Sequence, residues 1–161
     1  MKKVLFISST GGHLSELLQL EELFKEYDYC IITEKDETTK YLIKKYANRV
    51  YYLPYSTRSK PISYIFVYSY LILKTIFLFI KINPEIIIST GTHTTIPMCY
   101  LGKIFRKKVI YIETFANISR KTLSGKFAYP ISDLFIVQWQ EMKKLYPRAV
   151  YIDDNIYKKS W

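Results

Sequence analysis

Cysteine is scarce in this sequence. Two cysteines, Cys30 and Cys99, occur in 161 residues, and they stand far apart without the close spacing that metal-binding pairs show. This pattern argues against a disulfide-stabilised secreted fold and against a structural zinc site. It fits a protein that works in a reducing compartment such as the cytoplasm.

Histidine is equally scarce, with His13 and His93 as the whole complement. Two histidines without an evident third ligand do not make a usual metal site, so we expect no metal and no cofactor. Internal repeats and low-complexity linkers are also lacking. The first apolar run, residues 4–8, is too short for a signal peptide and precedes glycines instead of a cleavage site. We therefore expect one domain over residues 1–161.

Acidic residues are few relative to basic ones. The chain has 24 Lys and Arg against 14 Asp and Glu, a formal net charge of +10. Such a surplus favours anionic partners, whether nucleic acid, acidic lipid headgroups or phosphorylated ligands. The basic residues are dispersed and carry no nucleic-acid-binding motif, which disfavours nucleic acid. The 16 Tyr and 9 Phe include many side chains suited to a boundary between water and an apolar phase.

Strands and helices alternate along the predicted chain. Short apolar runs predict buried strands at residues 4–8, 29–33, 50–53, 85–89, 109–112, 133–137 and 149–152. Helical spacing or composition predicts helices at residues 14–24, 35–46, 62–82, 97–105 and 138–145. This alternation predicts an α/β fold with a doubly wound, Rossmann-like parallel sheet. Ligands of such sheets bind outside the carboxyl ends of the strands.

Two polar turns follow predicted strands at that edge. Residues 9–13 read Ser-Thr-Gly-Gly-His, and residues 90–95 read Thr-Gly-Thr-His-Thr-Thr. Glycines and a helix N-terminus at the first turn would let the backbone approach a diphosphate closely. Neither G-x-G-x-x-G nor a P-loop is present. Glu34 ends the second strand, where dinucleotide-binding domains keep a ribose-binding acid, so a lone nucleotide-binding domain stays open.

Three side chains at this edge are candidates for acid–base chemistry or ligand contact. His13 lies at a helix start, where it is a candidate general base or phosphate contact, and His93 lies in the second turn. Glu113 directly follows the strand at residues 109–112, so its carboxylate is expected to face the cleft and orient or deprotonate a sugar hydroxyl. The alternatives are a histidine bonded to local backbone and a salt-bridged glutamate.

Residues 62–82 form a long apolar segment. As a helix it would extend roughly 30 Å, enough to cross a bilayer. Lys74 lies within it, at a cost of roughly 2.5–3.5 kcal/mol at mid-membrane, and the segment connects strands of one sheet. We expect a helix with one face on the sheet and a second apolar face toward a membrane or partner; a fully buried core helix is the alternative. The expected membrane contacts are Arg58, Lys60, Ile65, Phe66, Tyr70, Lys74 and Phe77.

Four segments in register resemble one known family. Residues 7–13, 89–91, 111–116 and 133–139 are similar to bacterial polysaccharide-biosynthesis relatives of a eukaryotic asparagine-linked glycosylation subunit. That eukaryotic subunit anchors the second N-acetylglucosamine transferase. The resemblance covers nearly the whole chain. It implies the N-terminal half of a GT-B glycosyltransferase, with the donor-binding half on a separate partner chain.

The resemblance also implies an activity. The chain would bind a polyprenyl-diphosphate-linked sugar at the cytoplasmic face of the plasma membrane, as a peripheral or monotopic protein. Its partner would supply a UDP-sugar, and a hexose would be transferred in capsular or exopolysaccharide biosynthesis. The chain alone would be inactive. The alternatives are a non-catalytic membrane scaffold that activates the donor-binding subunit, and a lone nucleotide-binding domain.

Carried over by position, the resemblance implies a set of site residues. His13 and Glu113 would be the catalytic candidates. Gly11, Gly12 and His13 would lie by the acceptor diphosphate, and Gly91, Thr92 and His93 would match the second glycine turn. Thr10 and Asn117, which neighbour these segments, are further candidates for binding the acceptor and its phosphates.

Overall fold

The protein folds around one seven-stranded parallel sheet. The computed structural model describes residues 1–55 and 61–152, with the backbone alone at residues 61–63. The strands are β1 (Lys3–Ile7), β2 (Asp28–Glu34), β3 (Val50–Leu53), β4 (Ile86–Ser89), β5 (Lys108–Ile112), β6 (Leu134–Val137) and β7 (Val150–Tyr151). Their order is β3-β2-β1-β4-β5-β6-β7, and every pairing is parallel. The α/β prediction is confirmed, with no predicted strand end displaced by more than one residue.

Of the predicted helices, only the two at residues 62–82 and 97–105 have about the predicted length, and the others are shorter. They are α1 (Gly12–Leu18), α2 (Tyr41–Tyr46), α3 (Pro61–Ile82), α4 (Ile96–Ile104), α5 (Leu123–Ala128) and α6 (Met142–Leu145). Short 3-10 helices occupy Glu21–Lys25, Glu37–Thr39, Ala47–Arg49 and His93–Thr95. The first predicted helix therefore breaks after Leu18. Leu14, Leu17 and Leu20 are buried at intervals of three residues, a spacing that 3-10 turns also serve.

Both faces of the sheet are covered. Along β1 the side chains alternate, so Val4 and Phe6 join the core under α1 and α2, while Leu5 and Ile7 join the core under α3 and α4. All four side chains are at most 1% exposed. A strand buried on both faces is apolar throughout, which is why the sequence of β1 shows a continuous run instead of alternation.

Helix α3 is half packed and half exposed. Its inner face buries Leu71, Thr75, Leu78, Phe79 and Ile82 against the sheet. Its outer face, called the apolar face below, exposes Ile65, Phe66, Tyr70, Leu73, Phe77 and Ile80, each by more than half. The structure therefore favours the one-faced helix over the fully buried alternative. By length and composition alone, Tyr64–Ile82 would be able to cross a membrane.

Helix α5 was not predicted. Thr122 caps it, because its hydroxyl accepts a hydrogen bond from the Gly125 amide at 2.9 Å. Gly125 lies mid-helix, where glycine costs about 1 kcal/mol relative to alanine and makes the segment resemble a loop. A Cβ at Gly125 would collide with the Glu113 carboxylate and come within 2.5 Å of the Tyr146 hydroxyl. Packing thus requires glycine at position 125, and this glycine is the reason that the sequence pattern does not predict the helix.

Candidate functional site

The two polar turns meet at the carboxyl edge of the sheet, because β1 and β4 are neighbours. The Ser9 amide donates to the Gly91 carbonyl at 2.9 Å, and the Thr90 hydroxyl donates to the His13 carbonyl at 2.8 Å. Gly91 has φ +96°, and a Cβ there would lie 3.0 Å from the Tyr111 hydroxyl and 3.4 Å from His13 Nδ1. Glycine at this position therefore permits the close approach of the turns. We call this edge, made by residues 9–13 and 90–95, the glycine edge.

The first turn is open where the second is closed. Gly11 and Gly12 are exposed, and a Cβ built on either meets no atom within 4 Å. Gly91 is buried. A ligand thus has room to approach the backbone of Gly11 and Gly12, whereas Gly91 has a packing role. Ligand binding by these three residues stays a prediction.

The His13 ring is oriented by the second turn. Its Nδ1 lies 2.8 Å from the Thr90 carbonyl oxygen, which can only accept a hydrogen bond. Nδ1 therefore carries the hydrogen in the neutral ring, and Nε2 is the basic nitrogen. A partly exposed imidazole with a fixed tautomer is suited to take a proton from a hydroxyl. The catalytic role of His13 stays a prediction.

Glu113 lies differently from the expectation of an open cleft acid. Its side chain is 2% exposed, and its carboxylate accepts from the Thr122 hydroxyl at 2.9 Å and the Tyr146 hydroxyl at 3.0 Å. Burial raises the pKa of the Glu113 carboxyl above its ordinary range, although these hydrogen bonds oppose the shift. The described partners are these two hydroxyls and the Thr114 backbone amide at 3.2 Å, all of them uncharged, so the salt-bridge alternative is not what the structure shows. This geometry favours support of the α5 start over direct contact with a sugar, and the catalytic role remains untested.

Glu34 joins the two turns. It is 3% exposed, and its carboxylate accepts from the Thr94 hydroxyl at 2.6 Å and from the Thr10 amide and hydroxyl, both at 3.4 Å. These contacts commit Glu34 to the interior of the glycine edge, which argues against a ribose-binding acid. They also turn the polar groups of Thr10 toward Glu34, so the geometry does not favour the predicted phosphate contact of Thr10.

Glu16 is a polar residue of the site that sequence analysis missed. It follows His13 by three residues on α1, so the two lie on one face of the helix. The Glu16 carboxylate accepts from the Thr114 hydroxyl at 2.8 Å and the Phe115 amide at 3.0 Å. Burial raises the pKa of this carboxyl. The only available signal was a glutamate between the buried Leu14 and Leu17, next to a glycine turn.

The loop after β5 is held from both sides. Glu16 holds its start, and the Trp139 indole donates to the Phe115 carbonyl at 2.7 Å, with the two rings 4.7 Å apart. Asn117, a predicted acceptor contact, donates its amide to the Arg120 carbonyl and so closes the loop. Its contact with a ligand stays a prediction.

His93 lies where the glycine edge meets α3. Its ring centroid is 5.9 Å from those of both Tyr64 and Tyr68, and Nδ1 lies 3.3 Å from the Thr92 hydroxyl. The Tyr68 hydroxyl donates to the His93 carbonyl at 3.2 Å. His93 also lines a cavity of about 320 Å³ together with Tyr68, Ile96, Tyr100, Leu123, Ser124 and Phe127. The phosphate-binding roles of Thr92 and His93 stay predictions.

Cations flank the apolar face. Lys74 and Lys81 lie on one flank, each over a tyrosine ring, at 5.9 Å and 5.0 Å respectively. A second group of basic side chains lies at the end of α4, where Lys103 is paired with Asp133 at 3.2 Å; the group is Lys103, Arg106, Lys107 and Lys108. The predicted contacts Arg58 and Lys60 lie outside the described residues. Within residues 1–55 and 61–152, no group of three or more His, Cys, Asp or Glu side chains is placed to hold a metal ion.

The chain matches a described protein family over most of its length. The family described as "Oligosaccharide biosynthesis protein Alg14 like" matches residues 4–154. The UDP-N-acetylglucosamine transferase subunit ALG14 of Rattus norvegicus is 31% identical over 174 residues, which cover 92% of this chain and 81% of the relative. The Homo sapiens subunit of the same name is 29% identical over 174 residues, with the same coverage.

Solved structures share the fold at low identity. MurG of Acinetobacter baumannii matches 86% of this chain and 41% of its own length, with a TM-score of 0.68 and 12% identity. MnaA of S. aureus, solved with UDP, matches 96% of this chain and 49% of its own length, with a TM-score of 0.72 and 12% identity. The chain spans less than half of either protein. The predicted fold, one Rossmann-like sheet equivalent to half of a GT-B enzyme, is confirmed.

Proposed function

The chain belongs to the Alg14-like family of oligosaccharide biosynthesis proteins, and from this premise we propose that it is the acceptor-side subunit of a two-component glycosyltransferase. The donor-binding subunit is a separate chain that this protein recruits. The acceptor is a polyprenyl-diphosphate-linked sugar, and the donor is a UDP-sugar. Because relatives from rat, mouse and human carry UDP-N-acetylglucosamine transferase in their names, UDP-N-acetylglucosamine is the first donor to test.

The observation that carries this proposal is the glycine edge. It offers open backbone at Gly11 and Gly12 beside an imidazole whose tautomer is fixed by Thr90. In the proposed reaction, His13 Nε2 takes the proton of the acceptor hydroxyl as its oxygen attacks the anomeric carbon of the donor. The new glycosidic bond forms while the bond from that carbon to the UDP oxygen breaks. UDP leaves on the partner subunit.

The apolar face supports the membrane side of the proposal. Six large side chains of α3 are more than half exposed, with Phe66 at 74% and Ile80 at 71%. Lys74 and Lys81 flank this surface, where their charges would attract anionic lipid headgroups. We place the protein at the cytoplasmic face of the plasma membrane, as a peripheral or monotopic subunit. Capsular or exopolysaccharide biosynthesis is the process we propose.

A His13→Ala variant tests the chemistry. The full chain is co-expressed with the donor-binding subunit, and transfer from UDP-N-acetylglucosamine to a lipid-linked sugar is measured alongside recovery of the complex. Loss of a general base lowers turnover by roughly 10²–10⁴-fold with the complex intact. Gln19→Ala, an exposed change at the end of the same helix, is the matched control. Unchanged turnover in the His13 variant would overturn the catalytic role and favour the scaffold.

The scaffold is the second candidate, and one observation favours it. Both buried carboxylates at the site, Glu34 and Glu113, accept hydrogen bonds from groups of the chain itself, which leaves them less available for catalysis.

The two-component proposal also predicts that the chain without its partner gives no turnover, because the donor-binding side of the cleft belongs to the partner. Full-rate transfer by the chain alone would contradict the two-component assignment.

A further inference from the structure

We propose that a groove between α3, α4 and α5 holds the first isoprenoid units of the lipid-linked acceptor; this inference rests on the proposed function. The groove consists of two adjoining cavities. One of about 320 Å³ begins at His93, and the other, of about 260 Å³, continues along α3 and α4. Ile96 and Tyr100 line both cavities, so the two cavities adjoin along α4.

The groove is apolar along its length. Beyond His93 and Ser124, the walls of the first cavity are aromatic or aliphatic. The second cavity is lined by Ile72, Ile76, Ile96, Pro97, Tyr100, Leu101 and Ile104. Leu123 and Phe127, on the α5 side, are 48% and 51% exposed, so the groove is open to a ligand. Burial of a hydrocarbon chain is what such walls stabilise.

The order of polar and apolar groups along the groove indicates which ligand it binds. One end is His93, which belongs to the glycine edge proposed to bind the diphosphate. The other end reaches Ile72 and Ile76 on α3, beside the apolar face, and Ile104 at the end of α4. A polyprenyl diphosphate has the same order of groups: a diphosphate, then isoprenoid units, then a tail that stays in the membrane. A soluble peptide has no fixed sequence of a diphosphate followed by hydrocarbon, so it does not match this order.

Binding of farnesyl diphosphate to the full chain tests the inference. This probe carries one diphosphate and three isoprenoid units, and inorganic diphosphate is the reference. By calorimetry we expect farnesyl diphosphate to bind at least tenfold more tightly than inorganic diphosphate. Leu123→Trp, which fills the groove from an exposed position on α5, should weaken farnesyl diphosphate binding about tenfold and leave inorganic diphosphate binding unchanged.

Two further variants complete the design. Ile80→Trp adds the same bulk to the apolar face outside the groove and should leave binding unchanged, since Ile80 is 71% exposed. Tyr100→Ala widens the groove and should weaken farnesyl diphosphate binding, which keeps the test sharp if Leu123→Trp folds poorly. Equal affinities for the two probes would overturn the inference. Equal losses of farnesyl diphosphate affinity in the Leu123→Trp and Ile80→Trp variants would also overturn it. The same holds if Leu123→Trp loses the complex with the partner subunit while its affinity for farnesyl diphosphate is unchanged.

The transfer assay separates this inference from the proposed function. With the partner present, Leu123→Trp should raise KM at least fivefold for an acceptor with an isoprenoid chain, while kcat stays the same. The KM for an acceptor that carries the sugar diphosphate on a methyl group, too small to fill the groove, should not change. If both acceptors respond alike, the groove assignment fails and the transferase stands. If no lipid-linked acceptor is used at all, the proposed function fails.

Discussion

The glycine edge and the apolar face of α3 satisfy their side chains in opposite ways. At this edge and beside it, the buried carboxylates of Glu34 and Glu113 accept hydrogen bonds from groups of the chain, and Gly91 lies against His13. On α3, large apolar side chains such as Phe66 and Leu73 are exposed. The edge is thus a site whose geometry the chain fixes by itself. The apolar face is a surface that the described part of the chain leaves uncovered.

The largest expected effect contrasts the two faces of α3. Leu71→Ala removes a fully buried side chain and should lower the free energy of unfolding by about 2–5 kcal/mol. Leu73→Ala, two residues away and 65% exposed, should change it by less than about 0.5 kcal/mol. Urea unfolding of both variants measures the difference. Equal losses would mean that the outer face of α3 is packed in solution.

The next effect contrasts the two turns. Gly91→Ala places a Cβ against the Tyr111 hydroxyl at a positive φ and should cost about 1–3 kcal/mol of stability. Gly12→Ala meets open space and should be neutral or stabilising by up to about 1 kcal/mol. Thermal unfolding gives the stabilities, and the transfer assay shows whether Gly12→Ala still impairs acceptor binding. A costly Gly12→Ala would mean that the first turn is not open.

A smaller effect tests the connection between the turns. Glu34→Ala leaves the Thr94 hydroxyl and the Thr10 amide without their acceptor and should lower stability by about 1–3 kcal/mol. Glu34→Gln keeps one acceptor oxygen for Thr94 and should lose less. If Glu34 instead binds a nucleotide, the isolated chain should bind UDP-sugar or NAD and both variants should abolish that binding. Titration calorimetry distinguishes the two roles.

The smallest effect is a pH dependence of the folding stability that comes from Glu113. Burial raises the folded-state pKa of the Glu113 carboxyl above 4.5, its ordinary value. The stabilisation from the protonated form is complete below pH 4.5 and is lost as pH rises through the folded pKa. The slope is at most about 1.4 kcal/mol per pH unit. Glu113→Gln should flatten this part of the stability profile, measured by urea unfolding between pH 4 and 7; an unchanged slope would contradict the assignment.

Much of the fold follows from local sequence. Strand ends were predicted to within one residue because buried parallel strands appear as short apolar runs bounded by polar turns. The position of both turns at one edge follows from the parallel order. Helix ends were less well predicted, since α1 stops at Leu18 and α5 contains Gly125, and in both places tertiary packing overrides the local pattern.

Less of the site follows from the sequence. The sequence alone determined which residues follow each strand, and therefore that His13, Glu34 and Glu113 lie at the carboxyl edge of the sheet. Tertiary structure alone decided that Glu34 joins the turns, that Glu113 is buried under α5, and that Glu16 holds the loop after β5. The physical reason is range: a strand or turn depends on neighbouring residues, whereas the partners of a buried carboxylate come from segments far along the chain. The outer face of α3 is the same case in reverse, because composition reveals its apolar character but only packing reveals which side is left exposed.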